Sequence, residues 1–439
     1  MMRGLSRRGF AVLGAAVLVL AGESLRAQKT AGGALDPLIT DAGFWEQQAD
    51  AFDTRGRDLG FRWTSAAKSS SRSIARGLTF CGRRVGETIV EFSAGKPKAM
   101  HISLHNRGDD GAITDRDKFR EFLAEWEASL TSLAGSNGVE RGRDPHSAVR
   151  AEGKIWTRGG TDFILQHSAT GGATDFRSEF VRLIVAPAEK VSLIDQATDD
   201  KVVRPVARGD LAKNVARKEG DVFIDGIPMV DQGQKGYCVN AAASRVFNYY
   251  GIPLTQHEVA QMADTTAEKG TSGMEMVEAL KTIARRFKSR LKTYIERDLA
   301  GWLAWIKDYN KAAKKAKSPE IRIGHVIDVG ELYATANPDL LIEAFAAGSD
   351  LDRFRRDVRG SVDAGIPMLW TLELGIFPEH GGGRLQARGG HMRLLIGYNQ
   401  ASDEVLFSDS WGSGHELKRM KCKDAMAVTT GLFAILPNR

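Results

Sequence analysis

The chain has 439 residues, with 61 lysines and arginines against 55 aspartates and glutamates, a formal charge of +6 and a pI near 9.1. At about 150 residues per domain, this length predicts two or three domains with room for a sizeable core. A 42% share of aliphatic, aromatic and sulfur residues excludes a disordered or fibrous chain, and the confinement of long apolar sequence to the extreme N-terminus excludes a polytopic membrane protein.

Arg3, Arg7 and Arg8 precede the apolar run Phe10 to Gly22, and small and polar residues follow to Ala27. This order predicts an export signal over residues 1–27, and Ser6-Arg7-Arg8-Gly9-Phe10 is similar to a twin-arginine signal. As a helix the run covers about 20 Å of a bilayer core roughly 30 Å thick. A cleaved signal is therefore expected rather than an anchor. The mature protein is expected to be periplasmic or extracellular, without an integral membrane segment.

Residues 36–187 read as an α+β N-terminal domain. Gly77 to Cys81, Glu87 to Phe92 and Lys98 to His105 have strand character, and Asp115 to Leu133 carries Phe119, Phe122, Leu123 and Trp126 at helical spacing. Lys154 to Thr157, Asp162 to His167 and Phe180 to Val185 are predicted as further strands. His101 and His105 share a strand face but lie about 13 Å apart, too far for one metal ion. Residues 188–219 are polar and charged and read as a linker.

Residues 220–439 form the second block. Cys238 opens a helical run that Gly251-Ile252-Pro253 stops. Thr255-x-x-Glu258 and Ser272-x-x-Glu275 are capping boxes for two more helices. Strands are predicted over Pro367 to Leu374, Met392 to Tyr398 and Glu404 to Ser408, the last two joined as a hairpin by the loop from Asn399 to Asp403. A helix-rich half thus precedes a strand-rich half.

A thiol at a helix N-terminus feels the positive end of the peptide dipoles, which favours thiolate. It still needs an imidazole and a group that orients it. His391 stands at the head of one hairpin strand and Asp409 at the end of its partner, so the hairpin brings them towards each other. Gln232, upstream of Cys238, offers an amide donor for an oxyanion. His257, His380 and His415 are rival bases, but none precedes a strand whose partner supplies an acid.

Gln232-Gly233 followed by Gly236-x-Cys238 resembles the nucleophile motif of papain-like cysteine peptidases. His391 with Gly397-Tyr398 resembles that family's histidine strand, and Asp409-Ser410-Trp411-Gly412 its Asn-Ser-Trp-Gly segment, with aspartate in place of asparagine. An aspartate third member, with no tryptophan after the cysteine, is more similar to the bacteriocin-leader-processing branch, which cuts after double glycine. Lys235 stands where the papain family has a further cysteine, and no Gly-x-x-x-x-Gly-Lys-Ser/Thr occurs in the chain.

The resemblance implies an α+β fold with a helical half and an antiparallel sheet half, acting on a peptide or protein substrate. It implies Cys238 as nucleophile, His391 as base and then acid, Asp409 as its orienting partner, and Gln232 with the Cys238 N–H as oxyanion donors. No metal and no organic cofactor is implied. Gly270, Gly273 and Gly390 are the residues expected along a substrate cleft, and Trp411 is expected to support the hairpin. A transglutaminase-like acyltransferase, or a binding protein with an inactive peptidase domain, remains open. So do a propeptide, a docking module and a surface adaptor for the N-terminal domain, with docking ranked first.

The chain has three cysteines, an odd number without a C-x-x-C pair, so at least one thiol is unpaired within it. Cys81 and Cys422 are expected as buried thiols. Basic residues concentrate over residues 281–317 around Trp302 and Trp305, which reads as a solvated helix face, with an acidic polymer as the alternative. Once that cluster and the export segment are set aside, the remainder is mildly acidic and gives no footing for nucleic-acid binding.

Overall fold

The computed structural model describes residues 12–13, 32–41, 43–143, 149–172, 174–188, 206–233, 236–263, 273–324, 326–380 and 386–438. Of the expected export segment only Val12 and Leu13 are included, paired in parallel with Ile327 and Asp328; the rest lies outside the described residues, as do Gly270, Ser272 and Lys235.

In the N-terminal half, β-branched and aromatic residues alternate with polar ones, and the result is an eight-stranded antiparallel sheet. Its order is Arg62–Trp63, Ser70–Ser73, Thr88–Ser93, Lys96–Asn106, Arg177–Pro187, Thr161–Thr170, Glu152–Arg158 and Val139–Arg143. The helix Arg116–Ala134 lies on it. Asp115 caps that helix by accepting from the N–H groups of Asp117 and Lys118, and Gly135, at φ 72°, ends it. Phe119, Leu123, Trp126 and Leu130 form its buried face and join Phe52, Phe163, Leu165, Leu183 and Val185 in one core.

The C-terminal half has its own core, which includes Phe247, Trp305, Trp370, Leu394 and Phe433. Its sheet runs Val215–Lys218, Asp221–Ile224, Gly389–Asn399, Met368–Leu374, Thr429–Pro437 and Ser289–Ile295; Glu404–Ser408 pairs with both Gly389–Asn399 and Lys418–Lys421. The helices Cys238–Tyr249, Gln256–Met262, Gly273–Arg286 and Leu299–Lys315 precede most of these strands. The architecture is α+β, a helical half and an antiparallel sheet half preceded by a separate α+β domain. The capping box on Thr255 and Glu258 is present.

One expectation is modified. The linker expected over 188–219 is packed from residue 206 onward: Leu211 is fully buried in the C-terminal core, and Val215–Lys218 pairs with Asp221–Ile224. Within the basic stretch, Trp302 and Trp305 point inward while Lys311, Lys314, Lys315 and Lys317 are exposed. Their interleaving in sequence is the 3.6-residue period of one amphipathic helix. Among the described residues, no helix is long and apolar enough to cross a membrane.

The two halves meet across polar contacts. Arg182 pairs with Glu258 at 3.4 Å, Gln261 donates to Ser168 at 3.0 Å, and the Ala66 N–H donates to Glu416 at 2.9 Å. Met262 adds apolar contact with Val149, Ala151 and Phe180.

Candidate active site

Cys238 is the first residue of the helix Cys238–Tyr249, so its own N–H has no partner one turn earlier and the adjacent N–H groups point outward. The residue is half-buried. Burial pushes its thiol up, but a hydrogen bond to His391, that ring's charge, and the N–H groups of Met392 and Val239 outweigh it, and the thiol titrates below its ordinary value.

His391 lies on Gly389–Asn399, directly opposite Leu372. Its Nε2 is 2.7 Å from Asp409 Oδ1, with both side chains almost wholly buried. Burial alone would lower the imidazole. The charge and hydrogen bond of Asp409, together with Cys238, raise it to about 9. Asp409 is shielded from water, which favours the neutral acid, but His391, Arg393 and the Ser410 N–H hold its carboxyl well below the usual carboxylate range. At neutral pH these shifts favour thiolate facing imidazolium facing carboxylate.

The meeting of His391 and Asp409 depends on a β-bulge. Asn399 pairs with Glu404, Tyr398 with Val405 and Gly397 with Leu406, but beyond Ile396 the register shifts by one, to Leu395 with Phe407 and Leu394 with Ser408. Arg393 then falls opposite Asp409, and His391, two residues further along, shares its face. Without the extra residue His391 would point to the other face. A Cβ at Gly397 would lie 2.7 Å from the Val222 carbonyl oxygen, so glycine also admits the neighbouring strand.

Two arginines that sequence reasoning passed over, together with Ser410 of the Asp409-Ser410-Trp411-Gly412 segment, complete the site. Arg393, fully buried, donates from Nε to Asp409 Oδ2 at 2.6 Å and from Nη1 to Glu379 at 2.6 Å. Its guanidinium lies over the rings of Phe407 and Trp411. Arg245, on the Cys238 helix, donates to the Asp409 carbonyl at 2.9 Å, to Ser408 Oγ at 2.5 Å and to the Pro228 carbonyl at 2.9 Å. It fastens the thiol's helix to the acid's strand. Ser410 donates its hydroxyl to Gln232 Oε1 at 2.6 Å and accepts the Gln232 N–H on its carbonyl at 2.8 Å. The first bond fixes which end of the Gln232 amide is oxygen and so sets the orientation of its NH2 group. An arginine inside an apolar strand, two residues after the histidine, is the available signal for Arg393; Ser410 lies in the segment that carries the resemblance, and nothing in the sequence marks Arg245.

The expected residues fall as follows. His391 is bonded to Asp409 and lowers the Cys238 thiol, and Gln232 is buried beside Ser410. Trp411 stacks on the His391 ring at 4.6 Å. Gly390 is exposed immediately before His391 and opposite Glu373, and Gly273 begins a helix. The rival histidines have other partners: His257 faces Glu87 and Asn106, His380 faces Glu404, and His415 meets the edge of Trp411. All three cysteines are free, and burial pushes Cys81 up to about 11 and Cys422 up to about 12.

Residues 224–429 match the model of the Peptidase_C39 like family. The C-terminal half is thus similar to that family over this span. No curated protein matches the chain. Among solved structures, the peptidase domain of Streptococcus ComA, a bi-functional ABC transporter involved in a quorum-sensing pathway, is 15% identical. That match covers 48% of this chain and 100% of that one, at a TM-score of 0.24. Xylellain, a cysteine protease from Xylella fastidiosa, is 12% identical over 54% of this chain and 93% of its own, at a TM-score of 0.29. The C39-like match begins after the N-terminal domain and leaves that domain without a counterpart in the family model.

Proposed function

We propose that residues 220–439 form a papain-like cysteine peptidase domain that hydrolyses peptide bonds through Cys238, His391 and Asp409. The observation that carries this reading is the buried 2.7 Å bond between His391 and Asp409, with His391 also favouring ionisation of the Cys238 thiol at its helix start, within a C39-like region. The Cys238 thiolate attacks the substrate carbonyl carbon, and the developing oxyanion takes hydrogen bonds from the Cys238 N–H and the Gln232 side chain. The His391 imidazolium gives its proton to the leaving amine as the C–N bond breaks, leaving a thioester. Water then attacks the thioester, His391 takes the water's proton, and the thiolate departs as the carboxylic acid forms. Asp409 holds the ring and stabilises its charged form throughout.

Export to the periplasm or cell exterior, through residues 1–27, belongs to the same proposal. Two measurements test the catalytic reading. Peptide-library profiling should give cleavage by the wild-type protein and none by Cys238→Ala, and an electrophilic thiol probe should label Cys238. A folded wild-type protein that neither cleaves nor labels would sink the catalytic reading.

A further inference from the structure

The loop between Asp231 and Cys238 is held at both ends by the N-terminal domain. At one end Arg72, on the strand Ser70–Ser73, reaches across: its Nη1 pairs with Asp231 Oδ2 at 3.0 Å, and its Nε pairs with Glu87. The guanidinium is almost wholly buried, as is Glu87. Glu87 also faces His257 at 3.1 Å, and His257 in turn faces Asn106 at 2.7 Å.

Asp231 passes this hold into the loop. Its Oδ1 accepts the Gly233 N–H at 2.8 Å, and Gly233 sits at φ +72°, in the left-handed region. A Cβ there would come within 2.6 Å of Arg72 Nη2, so the loop backbone lies directly against the guanidinium and glycine permits both the conformation and the approach. Gln232 lies between these two anchored residues.

At the other end Tyr237, immediately before the thiol, is buried. Its hydroxyl sits so close over Gly108 that an added Cβ would overlap it, at 1.9 Å. Asn106 accepts the Gly108 N–H and fixes that seat. Arg72 and Gly108 both lie outside residues 224–429, the span of the family match. The partners of His391, namely Asp409, Cys238 and Trp411, all come from the C-terminal half. The N-terminal domain therefore grips the loop, and among the described residues it does not engage the imidazole as an inhibitory segment would.

We propose that Arg72 is a positioning residue for the peptidase reaction. Through Asp231 and Gly233 it fixes the backbone that presents the Gln232 amide, which makes the N-terminal domain a permanent part of the catalytic apparatus and not a removable pro-region. A buried guanidinium shared by two carboxylates suits this task, because its planar fork sets direction as well as distance. The inference rests on the reading of Gln232 as an oxyanion donor.

The test uses the full chain with Arg72→Gln and Asp231→Asn. The second variant leaves the buried Arg72–Glu87 pair intact, and so protects the test if Arg72→Gln fails to fold. Both are expected to lower kcat about 10- to 100-fold with KM nearly unchanged, less than the roughly 100- to 1,000-fold loss on removing an oxyanion donor outright, because the amide is misplaced and not deleted. Combined with Gln232→Ala, neither should add a further loss, because both act through the same amide. Alkylation of Cys238 by iodoacetamide forms no oxyanion and should stay within about twofold of wild type. Arg182→Ala, which breaks a domain contact away from the loop, should leave kcat unchanged. Hydrogen exchange at the Gln232 and Gly233 amides should quicken in Asp231→Asn and not in Arg182→Ala.

Unchanged kcat in folded Asp231→Asn, or losses that multiply with that of Gln232→Ala, overturns the positioning role. A wild-type protein that neither cleaves peptides nor alkylates faster than a free thiol overturns the peptidase reading instead. In that case the exchange rates still decide whether Arg72 orders the loop, and unchanged exchange overturns it.

Discussion

Two helices of the C-terminal half begin with a cysteine, Cys238–Tyr249 and Cys422–Val428. The positive end of the peptide dipoles is common to both, yet the thiols move in opposite directions. Burial pushes Cys422 up to about 12, and the adjacent Asp403 carboxylate adds to that by opposing a second negative charge. Burial acts the same way on Cys238, but His391 and two backbone N–H groups reverse it. A helix terminus is thus not enough to activate a thiol. The neighbour's charge decides, and that neighbour comes from a strand more than a hundred residues away in sequence.

The largest test of this contrast is removal of each thiol. Cys238→Ala should lower kcat by on the order of 10⁴-fold or more, whereas Cys422→Ala should leave kcat unchanged. The latter should cost about 1 kcal/mol in chemical denaturation through lost packing. Equal losses from both would erase the distinction.

Asp409→Asn comes next. Without the carboxylate the imidazole loses the charge that raises it, so the alkaline limb of Cys238 alkylation should move down from about 9 towards the ordinary 6.5. The peptidase rate at neutral pH should fall about 100-fold or more. The same substitution removes one carboxylate from buried Arg393, so a stability loss of about 3 kcal/mol is expected. An unmoved alkaline limb would show that Asp409 does not set the charge state of His391.

The pH dependence of wild-type stability gives a smaller effect. His391 is raised in the folded state from 6.5 to about 9. Its contribution to stability is therefore fully present below about 6.5 and is lost as pH rises through 9. Urea midpoints at pH 6 and pH 10 should show this loss in wild type and a reduced loss in His391→Gln. The smallest expected effect is that of Trp411→Ala. Removing the ring stacked on His391 should cost about 1 kcal/mol of pairing energy beyond the area buried, and a modest drop in alkylation rate should accompany it.

Much of the fold was legible because its signals are local. The strand Glu404–Ser408 and the helix Arg116–Ala134 follow from apolar periodicity closed by turn or capping residues. The capping box at Thr255 follows from two residues in one turn. Periodicity assigned Trp302 and Trp305 no inside or outside on its own, and neither did charge. Arg245 and Arg393 were not legible as site residues, because an isolated arginine in an apolar segment reads as a blemish until its carbonyl and carboxylate partners are known.

The sequence by itself determined the chemistry on offer: a cysteine at a helix start, a histidine and an aspartate on successive strands, and a glutamine ahead of the thiol. Those depend on residue type and spacing along the chain. Tertiary structure alone decided that His391 and Asp409 share a face, since a one-residue bulge at Ile396 sets the parity of the hairpin and periodicity carries no trace of it. It alone decided, too, that Arg72, far upstream in another sheet, lies against the loop that carries Gln232. Contacts between domains depend on where two surfaces dock, and no local rule of sequence fixes that.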